Sequence, residues 1–584
     1  MVTPDFRFDA SSLNLRLPPL AGSADALALA QLSERKRPLV VITESAWQAQ
    51  RLQAELTWFA PKKSVHVLPD WETLPYDQIS PHQDLVSERL ATLYQFSRDA
   101  CDIALVPITT ALYRLPPQAY LAAHTFFLRQ KDQLDLPALR AQLTVAGYAN
   151  VSQVLRPGEY AMRGGLIDLF PMGSAVPYRI DLLDAEIETI RTFDVDTQRS
   201  IYPVNEIRLL PAREFPFDEA GRSAFRQNFR EKFEGDPSKS SLYKDVSNGI
   251  APAGIEYYLP LFFASTATLF DYLPAGAQVC LHHDVATAID QFWRDVKSRY
   301  ELLGGDRTRP ILKPADLFLR AEEFFVGLKP FARADLPAFS ERSNDENTGD
   351  GQINSSLLPA LEVDRRSNNP VAKLEAFVDA FAGRILIVAE SFGRRETLLE
   401  LFYRHGLKPQ TCDNYAAFAS ADDRLMLTVA PLTQGFMLDP PLWAVITENE
   451  LYAAQVKQSR RRDTRKHTSE AMLRDLSEVR VGDPVVHAQH GVGKYLGLVN
   501  LDLGEGETEF LHLEYGGGDK LYVPVAQLHQ ISRYSGASPD AAPLHRLGSG
   551  QWEKAKRKAA EQVRDTAGEL LNLYAQRAAR EGFA

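Results

Sequence analysis

Residues Arg37–Ser45 read RPLVVITES, and Arg384–Ser391 read RILIVAES. Each is a short apolar run rich in β-branched residues that ends in serine. A helical pattern follows each one, carried by Leu52 and Leu56 after the first and by Leu398 and Phe402 after the second. Strands buried on both faces of a parallel sheet have this continuous apolar character instead of strict alternation. Further along, VPIT at Val106–Thr109 is matched by APLT at Ala430–Thr433, in the same order. The paired matches predict an α/β unit present twice in one chain.

Working outward, residues 1–125 read as α/β. Leu39–Thr43, Val65–Leu68 and Ile103–Ile108 are strand-like, with helical patterns around Trp47–Phe59 and Leu85–Phe96 between them. Strands alternating with helices predict a mainly parallel sheet. Residues 126–212 change character: Gly158–Phe170, Val176–Leu183 and Ile187–Phe193 read as strand runs separated by Gly, Pro and Asp, which predicts an α+β insert with a meandering antiparallel sheet. Residues 213–339 return to helices with aromatic clusters such as Tyr257, Tyr258, Phe262 and Phe263, so 1–125 and 213–339 form one domain in two segments. The stretch Ser340–Ser356, SERSNDENTGDGQINSS, has almost no large apolar group, and 340–369 reads as a flexible linker.

A small second α/β domain at 370–452 follows, then a basic linker at 453–474 containing KQSRRRDTRK (Lys457–Lys466). Residues 475–540 carry short strand patterns around Gly-rich turns such as Gly516-Gly517-Gly518, the signature of a small, strongly bent β-barrel of SH3 or Tudor type. From 545 to 584 a single apolar stripe (Trp552, Ala555, Ala559, Val563, Ala567, Leu570, Tyr574) predicts a long helix, and its lack of anything to lie on reads as a chain ending partway through a larger protein. The fold class is therefore multidomain α/β: a helicase-like lobe with an insert, a second α/β domain, a β-barrel and a terminal helix.

Composition bounds the function. At 584 residues, a prior of about 150 per domain gives roughly four domains. A net charge of −11 excludes a general nucleic-acid coat, so DNA contact would be local. Three dispersed cysteines, Cys101, Cys280 and Cys412, form neither a disulfide framework nor a zinc motif and fit a reducing compartment. The amino terminus lacks a signal peptide and no run reaches about 18 apolar residues, so a cytoplasmic protein without a membrane span is expected.

Catalytic motifs fail in turn. A phosphate loop needs glycines for a backbone nest, a lysine for the terminal phosphates and Ser/Thr for magnesium. Where it should stand, LAGSADALALAQL at Leu20–Leu32 keeps only Gly22-Ser23 as a turn into a helix. Elsewhere Gly493-Lys494 is followed by Tyr495 and has Ala488 in place of the first glycine. No ATP hydrolysis, cofactor, metal or catalytic residue is expected. His487 and His490 read as surface or turn histidines; His282-His283-Asp284 places its side chains on alternate faces, which argues against shared ligation; Asp194 and Asp196 read as a polar turn.

Two recognition features remain. Arg163 and Arg179, read as lying on adjacent strands with Leu183 alongside, either form an exposed basic and apolar patch for a protein partner or pair with Asp168, Asp181 or Asp184 as a surface network. Leu498, Val499, Asn500 and Leu501, ahead of the acidic turn DLGEGETE, form either an exposed edge for strand addition by a partner or ordinary core strand.

The set LPDWETLPYD (from Leu68), RPGEYAMRGGLIDLFP (from Arg156), RIDLLDAEIETIRTFDVDTQRS (from Arg179), DPVVHAQHGVGKYLG (from Asp483) and KLYVPVAQLHQISRY (from Lys520) resembles the bacterial transcription-repair coupling factors. The resemblance runs over essentially the whole chain in domain order. It implies the amino-terminal, non-catalytic part of a repair factor that would be a monomer. Residues 1–340 would be a UvrB-like module without a phosphate loop; Tyr76–Asp84 (YDQISPHQD) is too short for the UvrB damage-gripping hairpin. The insert would bind UvrA through Arg163, Arg179 and Leu183, where Leu183 replaces a phenylalanine of some relatives. The barrel would bind the RNA polymerase β subunit through Leu498–Leu501, with Leu501 at the position implicated in docking. ATP, magnesium and most contact with double-stranded DNA would belong to a carboxy-terminal translocase reached through a relay helix, and without the domain that masks the insert UvrA would bind constitutively. Two rivals stand beside this reading: an undetected helicase or nuclease site, and a general DNA-binding module using Lys457–Lys466 and Lys554–Lys558, for which a steep salt dependence would be diagnostic.

Overall fold

A computed structural model describes residues 4–6, 14–35, 38–98, 100–195, 197–340, 353–364, 367, 369–452, 482–487, 491–502, 507–524, 531–533 and 544–545. The basic linker and the terminal helix inferred from the sequence lie outside the described residues, apart from Leu544 and His545. Two compact units result, Met1–Ala453 and Ala454–Ala584.

In the first unit the strand Leu39–Thr43 is buried throughout and sits inside a six-stranded sheet. Its order is Asn14–Arg16, Ala332–Leu336, Gln278–His282, Leu39–Thr43, Ile103–Pro107, Val65–Val67, with every neighbouring pair parallel. A second sheet is built around Arg384–Ala389, in the order Asn354–Ser356, Phe436–Asp439, Trp443–Thr447, Arg384–Ala389, Leu425–Val429, Gln410–Thr411. The central four strands repeat the topology: the strand after the first helix lies outermost, the next returns beside the first, and a late strand closes the other flank. Even the helix starts repeat. The Ser45 side chain accepts from the Gln48 amide at 3.3 Å, and the Ser391 side chain from the Arg394 amide at 3.2 Å. Such N-caps stabilise a helix by about 1 kcal/mol. The copies diverge at one edge, where Phe436–Asp439 runs antiparallel to its neighbour while Ala332–Leu336 is parallel.

The two sheets share a core. Helix Ala24–Leu32 (ADALALAQL) is buried nearly all round, as expected for a helix without a polar face. Its Leu27 and Leu29 join Val41, Leu52 and Leu105 of the first sheet region and Leu386, Val388, Phe436 and Trp443 of the second in one apolar cluster. The expected linker is therefore shorter than 340–369. Ile353 and Leu361 are buried, and Asn354–Ser356 pairs antiparallel with Phe436–Asp439. The polar composition of this stretch concealed a strand that needs only Ile353 and the Ser355 hydroxyl facing inward: Ser355 is buried and accepts from the Ala21 amide at 2.7 Å.

The insert sheet has the order Ser200–Val204, Glu186–Phe193, Tyr178–Leu183, Leu166–Phe170, Glu159–Arg163, Ala149–Asn150. All pairs are antiparallel except the last, which is parallel. The run Gly158–Phe170 is thus two strands, split by a turn at Gly164-Gly165 in which Gly164 has φ +62°. Tyr160, Ile167, Leu169, Ile180 and Ile190 point to one face and join Leu139 and Leu143 of helix Leu136–Val145 in the core. A buried ion pair ties insert to lobe. Arg89 binds both carboxylate oxygens of Glu214, and Trp71 Nε1 donates to the same carboxylate at 3.2 Å.

The second unit contains one five-stranded antiparallel sheet, ordered Lys520–Pro524, Glu507–Glu514, Gly491–Asp502, Pro484–His487, Ile531–Arg533. Val485, Tyr495, Leu511, Leu513, Tyr515, Val523 and Ile531 form its core. A register shift between Tyr495 and Gly497 marks a bulge, which bends a strand and increases its twist.

Gly22 has φ +52°, and a Cβ there would stand 2.4 Å from the Gly435 carbonyl oxygen and 2.8 Å from that of Gln434. Gly22→Ala is therefore expected to cost about 2–4 kcal/mol, from left-handed strain plus overpacking against backbone that cannot move aside. Gly164→Ala, at a similar φ but with open space around it, should cost only about 1 kcal/mol. Urea denaturation of the two variants checks the difference.

Candidate functional site

The face of the insert sheet away from the main core is partly covered by a small apolar cluster of Val154, Ala161, Phe170 and Phe193, and the strand register decides what else lies there. Ala161, Asp168, Arg179 and Arg191 face one another across four strands, and Arg163, Leu166, Asp181 and Thr189 form the next row. Leu183 lies two residues beyond Asp181 on the same face. Arg163, Arg179 and Leu183 are thus on one surface, but the arginines are not on adjacent strands, because Leu166–Phe170 runs between theirs. The sequence gives no sign of this until Gly164-Gly165 is recognised as a turn.

The three residues do different things. Arg179 Nε donates to Asp168 Oδ1 at 2.7 Å and Nη2 to Oδ2 at 3.0 Å, while Nη1 donates to the Gln198 carbonyl at 2.9 Å. Its guanidinium also lies over the Phe193 ring, 5.0 Å from the centroid. Asp168 is buried, so Arg179 neutralises an enclosed carboxylate, and the hydrogen bonds to Asp168 push the already high guanidinium pKa further up. Arg163 is exposed and its Nη2 donates to the Ser152 carbonyl. Leu183 is 63% exposed, among the highest values for a large apolar side chain in the insert. Arg163 and Leu183 each precede a hairpin turn, Gly164-Gly165 and Asp184-Ala185, at the same end of the sheet. The Leu182 amide donates to the Gly165 carbonyl at 2.8 Å, so the two tips are held together.

In the second unit, Gly491–Asp502 pairs with Pro484–His487 only through Gly491–Lys494, whereas on its other side it pairs with Glu507–Glu514 out to Asp502. Among the described residues, the backbone edge from Gly497 to Asp502 has no strand partner. Leu498 is 42% exposed and Val499 is half-buried. Alternation turns Leu498 and Val499 to opposite faces of the strand. The side chains of Asn500 and Leu501 lie outside the described residues.

Where a phosphate loop would be, the chain has built something else. The Ser23 amide donates to the Gln434 carbonyl at 3.1 Å, and the Gln434 amide returns a bond to Ser23 Oγ at 3.3 Å. Glu55 Oε1 accepts from Ser23 Oγ at 2.9 Å, from the Thr433 amide at 3.0 Å and from Thr433 Oγ1 at 2.6 Å. Arg51 bridges Glu55 Oε2, at 2.7 Å, to both oxygens of Asp25. Burial pushes the Asp25 carboxyl up, but Arg51 and His282 outweigh it and hold the group well below the usual carboxylate range. The end of helix Ala24–Leu32 that a phosphate would approach thus faces the Glu55 carboxylate and backbone carbonyls of the second sheet region. This cluster was missed in the sequence, although Arg51 and Glu55 stand beside Leu52 and Leu56 on the apolar side of their helix, and Asp25 interrupts an otherwise apolar one.

Other histidines and aspartates also resolve. His282 and His283 do not point apart: His283 lies past the strand end with φ +66°, and the two rings stack at 3.7 Å with both reaching toward Asp25. Asp284 instead caps helix Val285–Leu303 through the Thr287 amide at 3.0 Å. Asp194 closes its turn by accepting from the Thr197 amide at 2.8 Å, as expected, while Asp196 lies outside the described residues. His487 is buried in its strand and is not a surface residue; His490 lies outside the described residues. No described helix is long and apolar enough to cross a membrane.

Comparison with known proteins bears on each of these regions. Residues 126–215 match the UvrB interaction domain, 377–451 the "MFD, D3 domain", and 479–535 the "CarD-like/TRCF RID domain". The transcription-repair-coupling factor of Haemophilus influenzae is 43% identical over 96% of the chain, and that of Escherichia coli 42% over 97%. The Bacillus subtilis protein of the same name is 27% identical over 97%. In each case the aligned part is 49% of the relative, so the chain spans about half the length of the curated relatives it matches. Three of its regions match in order and nearly every residue aligns, so the chain is similar to one half of the transcription-repair-coupling factors.

Proposed function

We propose that this chain is the amino-terminal, tethering part of a transcription-coupled repair factor, holding UvrA on its insert and RNA polymerase on its carboxy-terminal sheet. The observation that carries the reading is the division of labour on the insert's outer face. Arg179 is committed to the fold, while Arg163 and Leu183 stand exposed beside two hairpin tips, a cation and an apolar side chain at one end of a rigid sheet. A protein partner uses such a pair well: arginine for directed hydrogen bonds and leucine for desolvated contact. The domain match at 126–215 supports UvrA as that partner, and the match at 479–535 supports RNA polymerase for the other site.

On the second unit, the free edge beyond Gly497 offers backbone donors and acceptors to a strand of the polymerase β subunit, with Leu498 and Val499 lending side-chain contact. The bulge at Tyr495–Gly497 turns this half of the strand out of line with Pro484–His487, leaving its edge open. A small barrel of SH3 type is consistent with five short strands around one apolar core. Translocation on double-stranded DNA, with its ATP and magnesium, falls to the part of the relatives this chain does not span. The chain's own nucleotide cleft is proposed to be inert, because Ser23, Glu55, Thr433 and Gln434 bond to one another across the place where phosphates would lie. The setting is cytoplasmic, as DNA repair on a transcribing polymerase requires.

Binding of the chain to UvrA separates the roles of the three residues. Arg163→Glu and Leu183→Glu should each weaken binding at least about 10-fold with the fold intact, since both side chains are exposed and surface changes usually stay within about 0.5 kcal/mol in stability. Unchanged affinity in both would overturn the assignment. Arg179→Ala should behave differently: it strands a buried carboxylate and lowers stability by about 2–4 kcal/mol in urea denaturation. For polymerase, Leu498→Arg and Leu501→Arg are expected to abolish binding to a β-subunit fragment while circular dichroism stays native; retained binding in both would remove the edge from the docking surface.

A further inference from the structure

We propose a divalent transition-metal site, of the zinc class, at the carboxyl edge of the first sheet, built from Asp25, His282 and His283 with Glu44 behind it. One ring nitrogen from each histidine and one Asp25 oxygen lie within 4.8 Å of one another. Asp25 Oδ2 is 2.9 Å from His282 Nε2 and 3.9 Å from His283 Nε2, so a small movement would bring all three around one ion. Two imidazoles and a carboxylate form a donor set suited to zinc or its neighbours, and ill suited to magnesium or calcium, which prefer oxygen.

Two further observations point to a ligand. His283 adopts φ +66°, uncommon outside glycine, and its ring stacks on that of His282. His283 Nδ1 faces Glu44 Oε1 at 3.5 Å, the carboxylate–histidine arrangement that orients a metal-binding imidazole from behind.

The position agrees. Glu44 and His283 each follow the last residue of neighbouring parallel strands, at the carboxyl ends where open α/β sheets hold ligands. Arg51 Nη2 donates to Oδ2, so an ion taking that oxygen displaces this bond, while Arg51 keeps Glu55 Oε2 at 2.7 Å and Asp25 Oδ1 at 3.0 Å. His283 keeps a route to solvent, with 15% of its side chain exposed.

The test uses the whole chain after treatment with a chelator. Titration with Zn²⁺ by calorimetry should show one equivalent bound, and Co²⁺ should give visible ligand-field bands of a low-symmetry nitrogen and oxygen site. His283→Gln should remove the Co²⁺ bands, and Glu44→Gln should weaken Zn²⁺ binding by about 10–100-fold. Both side chains are partly exposed, so circular dichroism should remain native. Absence of stoichiometric Zn²⁺ binding would overturn the proposal, as would binding that survives both substitutions unchanged, since the ion would then be held by others of the chain's 12 histidines.

Discussion

The Asp25–Arg51–Glu55 network is the constraint on which the first unit depends. It brings three charges out of water between two sheets, a burial that only close pairing makes tolerable. Each member comes with its own attachment: Asp25 on the all-apolar helix, Arg51 and Glu55 on the helix after the first central strand, and Thr433 and Gln434 on the loop that receives them. The bonds are directional where the surrounding apolar core is not. Leucines at Leu27, Leu52 and Leu386 would pack in several arrangements, but Glu55 accepts from Ser23 and Thr433 together in only one. The charges thus set the registry between the duplicated sheets, and the apolar cluster around them supplies the larger part of the stabilisation.

The same network occupies the place where the sequence offers no phosphate loop. A phosphate loop leaves its amides free for an anion. Here the Ser23 amide is bonded to Gln434, the neighbouring acid is buried against arginine, and the left-handed Gly22 lets the second sheet region approach to backbone contact. These contacts make the turn at Gly22-Ser23 an internal joint between the two sheet regions. The insert shows the complementary case: its core-facing side is anchored to the lobe through Arg89 and Glu214, and its outer face, stabilised by Arg179 and Asp168, is left available.

Much of this was legible in the chain. Continuous apolar runs at Leu39–Thr43 and Ile385–Ala389 are buried strands because no solvent-facing residue interrupts them, and their repetition announced the duplicated strand order. The insert's alternation announced an antiparallel sheet with one outward face, and Arg163, Arg179 and Leu183 share that face. Other features were hidden for physical reasons. Alternation could not foresee His283 turning back onto His282, since a left-handed residue cancels the rule. Polarity could not distinguish Asn354–Ser356 from linker, since an edge strand is held by backbone hydrogen bonds that any sequence supplies. Nor could a list of charges tell Arg179, locked to a buried acid, from Arg163, which is exposed.

The sequence by itself determined the kinds of element, their order, the doubling of the α/β unit and the loss of the phosphate loop, because these follow from local periodicity and from the identity of single residues. Only the tertiary structure decided which polar groups are spent on the fold and which remain exposed. That distinction depends on approach between residues far apart in the chain, Glu55 with Thr433, Asp25 with His282, Arg89 with Glu214. No local pattern encodes such meetings; they exist once the apolar cores have closed and fixed the distances.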